Sequence, residues 1–343
     1  MKILIIGPSW VGDLVMAQSL FMTLCHQYDN PQIDVLAPAW SAPILDVMPE
    51  VHQSIEMPIG HGELQLKVRK QLAAKLKAKV YDWAIVLPNS FKSALIPWLA
   101  HIPKRTGWRG EFRYGLLNDL RTLDAGVFTR TVQRYVGLAF SKGTKPDDFI
   151  CPNPKLVLTD ERIKSVMLEF GINTQKPILA LCPGAEFGPA KKWPVRYFQE
   201  IAAFHIKRGG LVCLFGSGND RAVCNNIVES FSVQEVKNFA GKTSLQQVVA
   251  LLSQVDQVVT NDSGLMHIAA ALGRPVVAVY GGTSEYFTPP LSSLSRIICS
   301  DTDCRPCQKR TCPYGHYHCL EEVKPKQVTE ALVELSLFSC RSE

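Results

Sequence analysis

The sequence predicts an α/β chain built as two Rossmann-like domains with parallel sheets, and three observations carry that reading. Short apolar runs alternate with amphipathic stretches, the pattern of a parallel sheet with crossover helices. The runs end in Gly, Pro, Asn or Asp, as strands do when their carboxyl ends open onto a ligand cleft. The pattern stops at a polar, proline-bearing stretch, KGTKPDDFICPNP (142–154), and then restarts, giving two βαβ sets of similar length with no sequence repeat.

The elements follow in order. KILII (2–6) reads as the first strand and runs into GPSWVGDLVMAQSL (7–20), a glycine turn opening a helix. IDVLA (33–37) and WAIVLP (83–88) supply further strands, with helices between and after them. Beyond the linker come PILALCPGA (177–185), LVCLFGS (211–217), QVVTND (257–262) and PVVAVYG (275–281). PKQVTEALVELSLF (325–338) has helical spacing. The expected organisation is a first domain over 1–150, a second over 151–325, and a terminal helix and tail over 326–343. Ligands of such sheets bind where loops leave the strands' carboxyl ends, so two facing domains would line one cleft.

Composition narrows the class. With 343 residues, 46 % apolar and 20 % charged, the chain has the balance of a soluble globular protein with room for two cores. No apolar run reaches the ~18–20 residues of a membrane span; SALIPWLAHI (93–102) is broken by Pro97 and flanked by Lys92 and Lys104. MKILIIG leads straight into a turn and Asp13, which does not read as a signal peptide, so a cytoplasmic location is expected. Eleven cysteines in such a chain are expected to be reduced thiols. The net charge of +6 is unevenly spread: residues 67–145 hold 16 Lys/Arg against four Asp/Glu. KVRKQLAAKLKAK (67–79) reads largely as solvated surface. The competing reading is an anionic partner: a nucleic acid, a phosphorylated glycolipid or a membrane surface.

Three motifs bear on chemistry. Gly7 and Gly12 have the spacing of a phosphate-binding P-loop, but Asp13 and Leu14 stand where that loop needs Lys and Ser or Thr. The G-x-G-x-x-G fingerprint is also absent, which argues against NAD or FAD. Asp13 is then either a helix-start residue favoured by the helix dipole or a base poised at a strand end. In LCPGAEFGPAKKWP (181–194), backbone N–H groups around Gly184 and Ala185 with Lys191 nearby suit a diphosphate, although an ordinary loop with a surface lysine fits as well. In TNDSGLMHIAAALG (260–273), Asp262, Ser263, Gly264 and His267 gather at one helix mouth, where free N–H groups attract anions. A fourth segment, DTDCRPCQKRTCPYGHYHCL (301–320), holds Cys304, Cys307, Cys312 and Cys319 with His316 and His318, spaced more tightly than a typical zinc ribbon. It reads as a compact loop of reduced thiols or as a structural metal site, and in neither case as part of catalysis.

GPSWVGD (7–13), LPNSFKSAL (87–95), RTGWRGEFRYGLLND (105–119), CPGAEFGPAKKWP (182–194) and TNDSGLMHIAAALGRP (260–275) together resemble the ADP-heptose:lipopolysaccharide heptosyltransferases, most closely their type II branch. The likeness covers nearly the whole chain, in order. It implies a GT-B fold with the active site between two domains, and transfer of heptose from ADP-heptose onto the first heptose of the lipopolysaccharide inner core. It implies that the second domain holds the donor, with Gly184, Ala185 and Lys191 near the diphosphate and Asp262, Ser263, Gly264 and His267 as the opposing wall. Asp13 matches the family's proposed base. The anionic inner-core acceptor would lie on the first domain, making Lys92, Arg105, Arg109 and Arg113 candidate contacts, with peripheral attachment at the cytoplasmic face of the inner membrane. The resemblance implies inverting transfer; no Asp-x-Asp pair stands at a suitable strand end, since Asp147-Asp148 and Asp301-x-Asp303 fall in loops, so transfer with no metal or other cofactor is expected. Another nucleotide sugar or another core position remains the alternative, whereas nucleic-acid binding lacks a reader motif or a basic–aromatic ladder.

Overall fold

A computed structural model describes residues 1–60, 62–172 and 175–339. The last four residues of the expected tail lie outside them. The chain divides into two units, Met1–Pro154 and Lys155 onward.

The first unit runs β1 (Lys2–Ile6), α1 (Val11–Gln27), β2 (Gln32–Ala37), β3 (Val51–Glu56), α2 (Leu66–Lys77), β4 (Trp83–Val86), α3 (Phe91–Leu99), β5 (Lys104–Trp108), β6 (Asp119–Arg121) and α4 (Thr131–Val136). Its six strands are all parallel, in the order β3-β2-β1-β4-β5-β6. β1 is central, and Ile3, Leu4 and Ile5 have no exposed surface. A strand covered on both faces reads as a continuous apolar run, which is why KILII was legible.

The second unit runs α5 (Asp160–Glu169), β7 (Ile178–Cys182), α6 (Val195–Lys207), β8 (Leu211–Leu214), α7 (Arg221–Val228), β9 (Val236–Asn238), α8 (Leu245–Leu252), β10 (Gln257–Asn261), α9 (Gly264–Ala271), β11 (Val276–Tyr280), β12 (Ser295–Cys299), α10 (His318–Glu321) and α11 (Pro325–Ser339). The strands are again parallel, ordered β12-β11-β10-β7-β8-β9. Read from the other edge, this is the same order as in the first unit: two Rossmann sheets, each reversing direction between its two middle strands. The α/β class with two parallel-sheet units is what the sequence predicts.

The strands absent from the sequence reading are edge or near-edge strands. β3 (VHQSIE) has no fully buried residue, and β12 (SRIIC) is half-buried throughout, so neither makes an apolar run. β5 begins with Lys104 and Arg105, and only its last three residues are buried. β6 and β9 have three residues each. Among the described residues, no helix is long and apolar enough to cross a membrane.

Candidate active site

Each sheet reverses order between two strands whose carboxyl ends carry the motifs singled out above. In the first unit these are β1, which leads to Asp13, and β4, which leads to Pro88 and Asn89. In the second they are β7, leading to Gly184, and β10, leading to Asp262. This is where the fold opens a crevice for ligands.

Asp13 lies in the first turn of α1, half-exposed, and the N-cap residue Trp10 offers no side-chain hydrogen bond. The α1 dipole therefore favours the ionised carboxylate at this position. The Tyr135 hydroxyl on α4 donates to Asp13 Oδ1 at 3.3 Å. Burial and the neighbouring Asp13 carboxylate push the Tyr135 phenol well above its ordinary range, so it stays protonated as a donor. The reading of the sequence did not include Tyr135, 122 residues away in the chain.

A cavity of about 360 Å³ opens beside this turn, bounded by Gly7, Ser9, Trp40, Asn89, Lys92 and Glu111 among others. Of the four candidate acceptor cations, only Lys92 lines it. Arg109 is exposed on the surface. Arg113 is a correction: it has no exposed surface, and its guanidinium is spent on Pro88 O (2.7 Å), Asn89 Oδ1 (3.0 Å) and Trp108 O. Burial holds its pKa down to about 10, and its role is to fasten the β4–α3 loop. Arg105 is half-buried and donates to Leu116 O (2.7 Å) and Ile102 O (2.5 Å), so it too staples backbone. Cationic residue type identifies neither case, because guanidinium forks satisfy carbonyls as readily as they bind ligands.

In the second unit the candidates converge. Lys191, at the end of the helical turn Pro189–Lys191, sets Nζ at 2.6 Å from Asp262 Oδ2. Thr283 Oγ1 donates to the same oxygen at 2.6 Å. Asp262 is 3 % exposed, so its charge is compensated by an ammonium and a hydroxyl in a nearly dry setting. His267 is buried one turn along α9; burial lowers its pKa to about 4, against the pull of Asp262 and with the push of Lys191. It is thus a neutral imidazole at pH 7. Ser263 is the N-cap of α9 without capping it by side chain, and its Oγ lies 3.3 Å from Thr260 Oγ1. Gly264 opens α9, whose first N–H groups lack intrahelical acceptors.

Two devices hold the Lys191 loop. Asn261 Nδ2 donates to Pro183 O at 2.6 Å, and Asn261 Oδ1 accepts from Trp193 N at 3.1 Å, pinning both ends of the loop to β10. Trp193 is buried and donates Nε1 to Val323 O at 2.9 Å. Ala185 is buried beside Gly184. Gly184 must be glycine for a reason absent from the sequence reading: a Cβ there would stand 2.4 Å from the Asp220 carboxylate, which is held by Ser217 N and Ser217 Oγ.

The cysteine segment forms a brace. Cys304, Cys307, Cys312 and Cys319 line one small cavity with Ala190 and Gly282, and all four are free thiols. Among the described residues, no group of three or more His, Cys, Asp or Glu is arranged to hold a metal ion. His316 and His318 stack on each other at 3.9 Å. Arg310 O accepts from Ala190 N at 3.0 Å, Gln308 N donates to Gly282 O at 2.8 Å, and Arg305 donates to Thr283 O at 3.2 Å. The segment thereby ties together the loop of Lys191 and the loop of Thr283. Thr283 itself, directly after the YGG end of β11, was missed; its signal was a hydroxyl residue at the carboxyl end of a strand beside the reversal point.

Comparison with known proteins then adds ancestry to this geometry. The profile described as Glycosyltransferase family 9 (heptosyltransferase) matches residues 69–318. Lipopolysaccharide heptosyltransferase 2 of Salmonella typhimurium is 48 % identical, with 98 % of each chain covered. Its Escherichia coli counterpart is 47 % identical over 98 % of this chain and 99 % of its own. The structure of E. coli ADP-heptose lps heptosyltransferase II superimposes with a TM-score of 0.88 at 45 % identity, covering 99 % of both chains.

Proposed function

Since this chain belongs to glycosyltransferase family 9, the heptosyltransferases, we propose that it moves heptose from ADP-heptose onto the first heptose of the lipopolysaccharide inner core. The relatives named for that reaction match it from end to end at nearly half identity. The observation that carries the chemical assignment is the Lys191 ammonium, fixed at 2.6 Å by buried Asp262 at the order-reversal point of the second sheet, beside the N-terminus of α9.

On this reading the second unit binds the donor. Lys191 and the α9 N-terminus face the diphosphate, Asp262 and Thr283 position Lys191, and Gly184 and Ala185 let the backbone approach. His267, buried and neutral, sits one turn into α9 beside them. The first unit binds the acceptor, with Lys92 and Arg109 as the remaining candidate cations. Asp13 is the base. The acceptor hydroxyl oxygen bonds to the anomeric carbon, its proton passes to the Asp13 carboxylate, and the bond to the diphosphate breaks with its electron pair leaving on ADP. Attack from the face opposite the diphosphate inverts the centre. Lys191 and the helix N–H groups stabilise the charge that develops on the leaving group. The proposed place of work is the cytoplasmic face of the inner membrane, where the acceptor is lipid-borne.

The test is turnover with ADP-heptose and a lipid acceptor carrying a single heptose, against the same acceptor without heptose and against other nucleotide sugars. Preference for another donor, or equal use of the heptose-free acceptor, overturns the assignment.

A further inference from the structure

The helix α2 carries charge that the proposed transfer does not use. From Leu66 to Lys79 the sequence has six basic residues and no acidic one. The helix sorts them by face. Arg69 is buried, donating Nε to Leu64 O at 2.6 Å and Nη1 to Lys92 O at 3.1 Å, beside buried Leu72, Ala73 and Leu76. Lys67, Lys70, Lys75 and Lys77 are all exposed on the opposite side, and among the described residues none of the four makes an ion pair.

Topology places a second helix beside them. The connections β3–α2–β4 and β4–α3–β5 step the same way along the sheet, so right-handed crossovers lay α2 and α3 on one face, and the two helices pack together. α3 exposes Trp98 (44 %) near its C-terminus, and Leu66 at the start of α2 is 49 % exposed. Exposed lysines along one helix, with an exposed leucine at its start and an exposed indole on the neighbouring helix, are the features of a surface that rests on a lipid headgroup layer: ammonium groups meet phosphates, and the apolar groups enter the interface. A nucleic-acid surface would instead present arginine forks and stacking rings along a groove.

We infer that the outer face of α2 and α3, through Lys67, Lys70, Lys75 and Lys77 with Leu66 and Trp98, docks the protein on an anionic phospholipid surface. The inference rests on the proposed lipid-borne acceptor for its choice of occupant, and on charge complementarity for the site. Docking through lysines outside the acceptor candidates would concentrate the enzyme in the plane where its substrate lies, without touching the chemistry.

The experiment is co-sedimentation of the full-length protein with phosphatidylglycerol-containing vesicles and with pure phosphatidylcholine vesicles, at low and high salt. The wild type is expected to sediment with the anionic vesicles at low salt only. Each lysine neutralised weakens binding about fivefold, so K67Q/K70Q/K75Q/K77Q abolishes retention. K142Q/K164Q/K176Q/K207Q removes the same charge from exposed lysines elsewhere and is expected to retain it. Equal binding to neutral vesicles, retention by the first quadruple variant, or equal loss in the second overturns the inference. So does retention of duplex DNA or RNA by this face in place of vesicles. Turnover on a water-soluble core oligosaccharide is measured in parallel and is expected to be the same in wild type and the first variant. Absence of that turnover in the wild type counts against the transferase assignment, separately from the vesicle result.

Discussion

The two sheets of this protein share one strand order, and each places a carboxylate just beyond a strand at its reversal point, yet the two carboxylates have different surroundings. Asp262 is 3 % exposed and shares one oxygen between the Lys191 ammonium and the Thr283 hydroxyl. Asp13 is half-exposed at a helix start and accepts a longer hydrogen bond from a neutral phenol. Asp262 is tied to two fixed partners, an ammonium and a hydroxyl, while Asp13 keeps part of its surface open at a helix start, where a substrate hydroxyl can reach it. The common topology supplies two crevices; the neighbours divide the labour between base and clamp.

The sharpest way to break this division is to neutralise the first carboxylate. Asp13→Asn is expected to lower kcat by about three orders of magnitude, the middle of the range for loss of a general base, while calorimetry shows unchanged ADP affinity. Turnover near the wild-type rate in that variant removes Asp13 from the base role. The second unit should respond differently. Lys191→Met is expected to cost about 10²–10³-fold in kcat/KM, as loss of a transition-state donor does. It should also destabilise the fold by about 3–5 kcal/mol, because Asp262 is left buried without its cation. Adding Asp262→Asn in the same chain is expected to restore thermal stability without restoring turnover. Recovery of turnover in the double variant shows instead that Lys191 serves only to balance Asp262.

What the sequence revealed tracks this contrast. The strands β1, β7, β10 and β11 are buried over most of their length, so they read as apolar runs, and the motifs at their ends could be placed from the sequence. Local clusters such as Asp262 to His267 were legible because one helical turn brings them together. Partners supplied by another part of the chain were not. Tyr135 reaches Asp13 across 122 residues, and Thr283 meets Asp262 across 21. Arg113 and Arg105 misled for the converse reason: a guanidinium satisfied by backbone carbonyls is spelled like one that awaits a ligand. The cysteine segment suggested metal by its spacing, whereas its visible work is to join the Lys191 and Thr283 loops through backbone contacts that no spacing rule encodes.

The buried clamp also carries a pH signature in its stability. His267 has a folded-state pKa of about 4 against 6.5 for the unfolded chain. Between those values the unfolded chain binds a proton that the folded one refuses, so stability is full above pH 6.5 and falls as the pH drops toward 4, by roughly 3 kcal/mol. His267→Gln is expected to flatten the fall of Tm over that window relative to wild type. An unchanged slope in the variant assigns the acid sensitivity to other groups.

The smallest expected effect tests whether Tyr135 is part of the base or merely near it. Its bond to Asp13 is 3.3 Å long, so it contributes little. Loss of such a bond costs about 0.5–1.5 kcal/mol, and Tyr135→Phe is accordingly expected to lower kcat/KM by only about two- to tenfold. The direction of the pH effect is more telling than its size. A neutral donor favours the ionised form of a carboxylate, so its removal makes the proton harder to lose and moves the acid limb of the pH–rate profile upward. A variant with reduced rate but an unmoved acid limb means that the phenol supports the packing of α4 on α1 and leaves the base alone. A shifted limb with Tm unchanged ties it to the proton that Asp13 takes.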